Sequence, residues 1–190
     1  LQLDDALRYA RGSLAISLEL VQKDSSDGQM QRDLYICYAK VAKVLLAKKD
    51  FEACLHQLDL AFAIVKEVYE KQPESRQSVR DYSFVLLKMA EAHLASGQAA
   101  TAAKECEAVI QTLESIPESN RQDATSRRRL ANAMTMLGRA LLADGQKEQA
   151  RKALDRSRNL TKAMIDENIR VEQMQLDLNE IDSLIASLEP

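Results

Sequence analysis

The chain repeats itself every 48 residues, in an unbroken register. Arg32-Asp33-Leu34 returns as Arg80-Asp81-Tyr82 and again as Arg128-Arg129-Leu130, and Asp177-Leu178 holds the same place near the C-terminus. Ala42, Ala90, Gly138 and Ala186 share one small-residue position, and Ala6, Cys54, Ala102 and Ala150 share another. Gly97-Gln98 and Gly145-Gln146 fall one period apart, as do Leu14-Ala15-Ile16 and Phe62-Ala63-Ile64. A fixed period of about 20–50 residues marks a unit that cannot bury its apolar face alone and must stack on its neighbours. Such an array is expected to present a surface rather than a reaction centre.

Composition decides what is stacked. The 190 residues include only five Gly, three Pro and no Trp, which leaves little material for hairpins or a nucleotide-binding sheet. Ala, Leu, Lys, Glu, Gln and Arg dominate, all strong helix formers. Each period divides into two helical stretches. The first-type helices are expected at 29–48, 77–96, 123–144 and 172–188, and the second-type helices at 3–23, 50–72, 98–116 and 146–167. Leu34, Tyr38, Val41, Ala42, Leu45 and Leu46 recur at the three- and four-residue spacing of a buried helical stripe, as do Phe51, Leu55, Leu58, Ala61, Phe62, Val65 and Tyr69. Gly97 and Gly145 suit the left-handed residue that ends a helix, so Lys49, in the same place, must adopt that conformation without glycine. Asp50 can then cap the next helix, and Pro73 and Pro117 stop the second-type helices.

These residues resemble tetratricopeptide repeats. That family places small residues at the eighth and twentieth positions of a helix-turn-helix unit and bulky ones around them. Counting from Tyr35, the pattern reads Tyr38, Val41, Ala42, Leu45, Phe51, Cys54, Leu58 and Ala61. Counting from Ser83 it reads Leu86, Met89, Ala90, His93, Ala99, Ala102, Cys106 and Val109, and from Ala131 it reads Met134, Leu137, Gly138, Leu141, Lys147, Ala150, Leu154 and Ser157. The period departs from the usual unit of about 34 residues, and in this the chain resembles the long-period arrays of large bacterial signalling proteins. The resemblance implies an all-α, right-handed α-α superhelix, a solenoid of stacked antiparallel helix hairpins. Across residues 1–190 it implies a single array: 3–23 as the second helix of a truncated repeat, repeats at 29–72, 77–116 and 123–167, and a capping helix at 172–188. The chain opens inside a repeat and is expected to be a piece of something longer.

The resemblance also implies where a partner would lie. In such arrays the concave surface is built by the second, fifth, sixth, ninth and twelfth positions of the first helix. Here these are Ile36, Ala39, Lys40, Lys43 and Leu46, then Phe84, Leu87, Lys88, Glu91 and Leu94, then Asn132, Thr135, Met136, Arg139 and Leu142. Apolar patches mixed with cations suit an extended or helical peptide carrying acidic groups. The Lys/Asn pattern with which some arrays clamp a terminal carboxylate is only partly present.

Little chemistry competes with that reading. His56 and His93 belong to no recognised zinc-binding motif, and no phosphate loop, nucleophile elbow or HExxH motif occurs. No enzyme activity and no cofactor are expected. Cys37, Cys54 and Cys106 read as buried free thiols of a reducing compartment, so a cytoplasmic protein is expected. Net charge is −3, but residues 166–190 carry seven acids against Arg170, a local −6 that leaves +3 for the rest, too little for a nucleic-acid face. Arg127-Arg128-Arg129 is the densest basic cluster. Arg128 continues the Arg32 and Arg80 series and is expected to pair with a carboxylate of the neighbouring repeat.

Val171, Met174, Leu178, Ile181, Ile185 and Leu188 give the last helix a coiled-coil-like stripe. It serves either a dimer through 171–188 or, in a monomer, a cap over helix 146–167, whose acidic outer face keeps the end soluble. The expectation is a monomeric, non-catalytic protein-interaction module without membrane or nucleic-acid partners. The alternative is an oligomerisation or spacer region of a larger bacterial signalling enzyme, such as a Ser/Thr kinase.

Overall fold

Asp27, Asp50, Ser75 and Asp123 each place a side-chain oxygen where the first free amides of a helix need an acceptor. The computed structural model describes residues 2–116 and 123–188. Among these it contains α1 (Gln2–Lys23), α2 (Gly28–Ala47), α3 (Phe51–Lys71), α4 (Arg76–Ala95), α5 (Ala99–Ser115), α6 (Ala124–Ala143), α7 (Lys147–Asp166) and α8 (Val171–Ala186), and no strand. The observed ends fall within two residues of those expected, the ordinary scatter of helix boundaries. Asp27 accepts from the amides of Gln29 at 2.7 Å and Met30 at 3.0 Å. Asp123 caps Thr125 at 3.0 Å and Ser126 at 3.1 Å in the same way. Asp50 accepts from Ala53 at 3.3 Å, as its position predicts.

The chain divides into two compact units, Leu1–Ser96 and Gly97–Pro190. Within the first, α1 packs on α2, α2 on α3 and α3 on α4; within the second, α5 packs on α6, α6 on α7 and α7 on α8. The turns repeat one device. Gly97 at φ +83°, Gly145 at φ +79° and Lys49 at φ +61° all take the left-handed conformation that ends a helix, Lys49 without glycine's freedom. Gln72 ends α3 outside the helical region, which a following proline disfavours in its predecessor. Pro117 lies outside the described residues.

The core is built on the small positions. Ala42, Cys54, Ala90, Ala102 and Ala150 are all at most 1 % exposed, which lets helix backbones approach closely enough for large neighbours to interdigitate. At Gly138 a Cβ would stand 2.5 Å from Leu154 Cγ. In the first unit Tyr82 stacks on Tyr69 with centroids 4.4 Å apart and meets Phe62 at 5.5 Å, joining α3 to α4. Buried polar groups are placed to match: Ser157 of α7 donates to the Ala131 carbonyl of α6 at 2.8 Å.

All three cysteines are buried and free. Burial pushes the Cys54 thiol from its ordinary 9.0 up to about 11, and the Cys106 thiol up to about 12. For Cys54 that cuts the thiolate fraction about a hundredfold, since each unit is a factor of ten. At pH 8 both should resist iodoacetamide in the folded chain and label fully in urea, as read by mass. Rapid native labelling at Cys54 would contradict the packing.

Candidate partner-binding face

The residues expected to form a groove do not all remain available for one. In the first unit the helical spacing of α2 and α4 brings Lys43, Lys88 and Glu91 together around a small recess of about 50 Å³, floored by Ala39, Ala42, Leu46, Cys54 and Leu58. The recess exists because positions 42 and 54 are small where the helices cross. Lys88 Nζ donates to Glu91 Oε2 at 2.7 Å, so those two charges largely satisfy one another. Lys43 is exposed and no acidic group among the described residues reaches it. Lys40 is exposed one turn earlier on α2, while Ile36, Phe84 and Leu87 are half-buried.

In the second unit the expected groove residues are partly engaged elsewhere. Thr135 turns inward: its hydroxyl donates to the Ala131 carbonyl at 3.1 Å or shares a hydrogen bond with Ser157 at 2.8 Å. Arg139 reaches Glu180 of α8 at 3.5 Å, an exposed pair of modest strength. Asn132 is exposed and Met136 half-buried on α6. The face of α6 therefore offers a partner fewer uncommitted polar groups than its sequence suggests.

Two of the three clustered arginines are held in ion pairs. Arg128 Nε lies 3.4 Å from Asp177 Oδ2, as its place in the series predicts. Arg127 grips Glu167 through both guanidinium nitrogens, which holds that carboxyl below the usual carboxylate range. In the first unit Arg32 Nε donates to Asp81 Oδ2 at 3.0 Å, and that hydrogen bond raises the guanidinium above its ordinary value.

One cavity went unnoticed in the sequence. It measures about 150 Å³ and is walled by Arg32, Tyr35, Ile64, Val65, Val68 and Asp81. The only sequence sign of it is the 49-residue separation of Arg32 and Asp81, which becomes meaningful once α2 and α4 are known to be neighbours. Neither histidine joins a metal cluster: among the described residues no group of three or more His, Cys, Asp or Glu could hold an ion. His56 is exposed, and His93, expected in the core, is half-buried on the last turn of α4. No helix among the described residues is long and apolar enough to cross a membrane.

This succession of paired helices has counterparts among solved structures. BtubC (BKLC) from P. vanneervenii superposes with a TM-score of 0.53 at 11% identity, over 99% of this chain and 90% of that one. A kinesin-light-chain protein of Podosopora anserina, described by its nearly identical TPR-like repeats, superposes with a TM-score of 0.52 at 16% identity, over 99% of this chain and 97% of its own. The fold is tetratricopeptide-like. No protein-family model matches the sequence, and no curated protein matches it. At these identities the likeness concerns the path of the backbone, so function must be argued from this chain's own TPR-like faces.

Proposed function

We propose that the chain is a non-catalytic protein-interaction module whose first unit binds an acidic, extended or helical peptide along α2 and α4. The observation that carries this reading is Lys43: an exposed cation without an acidic partner, standing beside an apolar recess. Apolar contact in the recess between Ala39, Leu46 and Leu58 supplies affinity, while Lys43, Lys40 and the Lys88–Glu91 pair select for negative charge. The C-terminal helix α8 is read as the cap of the array, a reading supported by the burial of Met174, Leu178, Ile181 and Ile185 within the chain.

The test is a panel of labelled peptides, acidic-apolar, basic-apolar and neutral, titrated into the full chain. Acidic peptides should bind best, and Lys43→Glu combined with Lys88→Glu should weaken them by about tenfold or more, as expected for reversing two contacts at a partly exposed site. Helicity and melting temperature should hold, since Lys43 is exposed and Lys88 only half-buried. A panel indifferent to the reversal would sink the proposal.

A further inference from the structure

The cavity of about 150 Å³ and the recess around Lys43 lie along one furrow of the first unit. On α2 its wall runs through Gly28, Arg32, Tyr35, Ala39, Lys43 and Leu46, at steps of three and four residues that keep them on one helix face. The opposite wall is α4, from Gln77 and Asp81 to Lys88 and Glu91. The floor is α3, on which α2 and α4 each pack.

The two hollows differ in chemistry. One is cationic at Lys43. The other is neutral, because its charged lining residues, Arg32 and Asp81, pair at 3.0 Å, and Gln77 donates to the same carboxylate at 2.8 Å. Its remaining wall is largely Tyr35, Ile64, Val65 and Val68, and the Ser78 hydroxyl is engaged by the carbonyls of Gln72 and Ser75. The second unit shows what fits such a place. Two periods after Val68 and Ser78 stand Met164 of α7 and Met174 of α8, both fully buried. In the first unit the shorter pair leaves the space open, and Val68 is 42 % exposed. An open apolar hollow lacks the dispersion contacts of a filled one, so a flexible, unbranched apolar side chain from outside gains by entering it.

Resting on the peptide reading above, we propose that the occupant of the furrow is a helix antiparallel to α2, with acidic residues in its first turn at Lys43 and a methionine eleven residues later seated in the cavity. The spacing decides for a helix. Arg32 and Lys43 stand 11 residues apart on α2, about 16 Å along its axis. A partner helix covers that span with two residues three turns apart on one face. An extended strand covers it in about five residues, and the alternation of side chains turns the fifth away from the furrow. Charge sets the direction. Acids are favoured in the first turn of a helix, and the antiparallel course brings that turn to the C-terminal halves of α2 and α4, where Lys43 and Lys88 lie.

The probe is a fluorescein-labelled, end-blocked, alanine-based helical peptide with two glutamates in its first turn and a methionine eleven residues after the second. A control of identical composition carries the methionine two residues further on, on the far face of the helix. In anisotropy titrations with the full chain, the probe should bind about tenfold or more tightly than the control, the scale of one apolar anchor. Val68→Met should fill the cavity from within and remove that preference, with the melting temperature held, since the position is exposed. Lys43→Glu combined with Lys88→Glu should weaken both peptides alike. If probe and control bind equally and Val68→Met changes neither, while the charge reversal still weakens both, the methionine seat is overturned and the peptide reading stands. Binding of unstructured acidic peptides but not of the helical probe overturns the helix in the same way, and indifference to the charge reversal overturns both readings. A twofold mass in light scattering that Val68→Met abolishes would make a second copy the occupant and overturn the proposal as well.

Discussion

Leu154→Ala should destabilise the chain by about 2–5 kcal/mol in urea unfolding, the range for truncating a fully buried leucine where the surroundings cannot collapse. Leu154 is 0 % exposed and forms a core cluster with Ile181 and Ile185, so it joins α7 to α8. On its other side it fills the space above Gly138, with Cγ 2.5 Å from where a Cβ would stand. This predicts a change of sign. In the native background Gly138→Ala should destabilise, because overpacking costs about 1–3 kcal/mol and outweighs the roughly 1 kcal/mol gained in helix propensity. In the Leu154→Ala background the obstruction is gone, so the same substitution should stabilise by up to about 1 kcal/mol. Equal effects in the two backgrounds would show that Leu154 does not set the spacing of α6 and α7.

Ile181→Asp is the second large effect. Ile181 is 1 % exposed in the α7–α8 interface, so the substitution removes a buried aliphatic group and strands a carboxylate among Leu154 and Ile185. The cost should be about 3 kcal/mol or more. It should appear in hydrogen exchange as lost protection over residues 171–186, while α2 of the first unit keeps its own. A coiled-coil reading of the same stripe predicts instead a dimer that falls to a monomer with α8 still folded. Unchanged protection of α8 together with a halved mass would favour that reading. Leu176, 64 % exposed on α8, gives the matched control: Leu176→Asp should leave protection intact.

The sequence was most informative where structure depends on neighbours along the chain. Asp50 and Asp123 cap the helices that follow them because the amides they satisfy are two or three residues away. Gly97 and Gly145 turn the chain, and Lys49 is forced into the same conformation by its place in the period rather than by its own preference. The small positions were legible in part: six of the eight are buried, whereas Ala6 is half-buried and Ala186 exposed, so repetition marks a site that cannot grow only where a neighbouring helix covers it. His93 shows the limit of that logic: it occupies a core place in the repeat pattern yet is only half-buried, because its position near the end of α4 leaves the imidazole an edge to solvent.

The candidate groove was legible as a set of positions but not as a set of available groups. Thr135 has the right register on α6, yet Ser157 engages its hydroxyl from α7. Lys88 has the right register on α4, yet Glu91 lies within 2.7 Å and takes up much of its charge. Periodicity could not foresee that Arg139 would meet Glu180, because the two belong to different helices and only their packing brings them to 3.5 Å.

By itself, then, the sequence determined the helices, where they stop, and that paired helices must stack, because capping, turn conformation and the period of apolar residues act within a few residues of one another. Tertiary structure alone decided which polar side chains remain for a partner. Lys43 is left without an acid, whereas Arg32 and Arg128 are satisfied, and those outcomes depend on distances of a few ångströms between helices that are far apart in the chain.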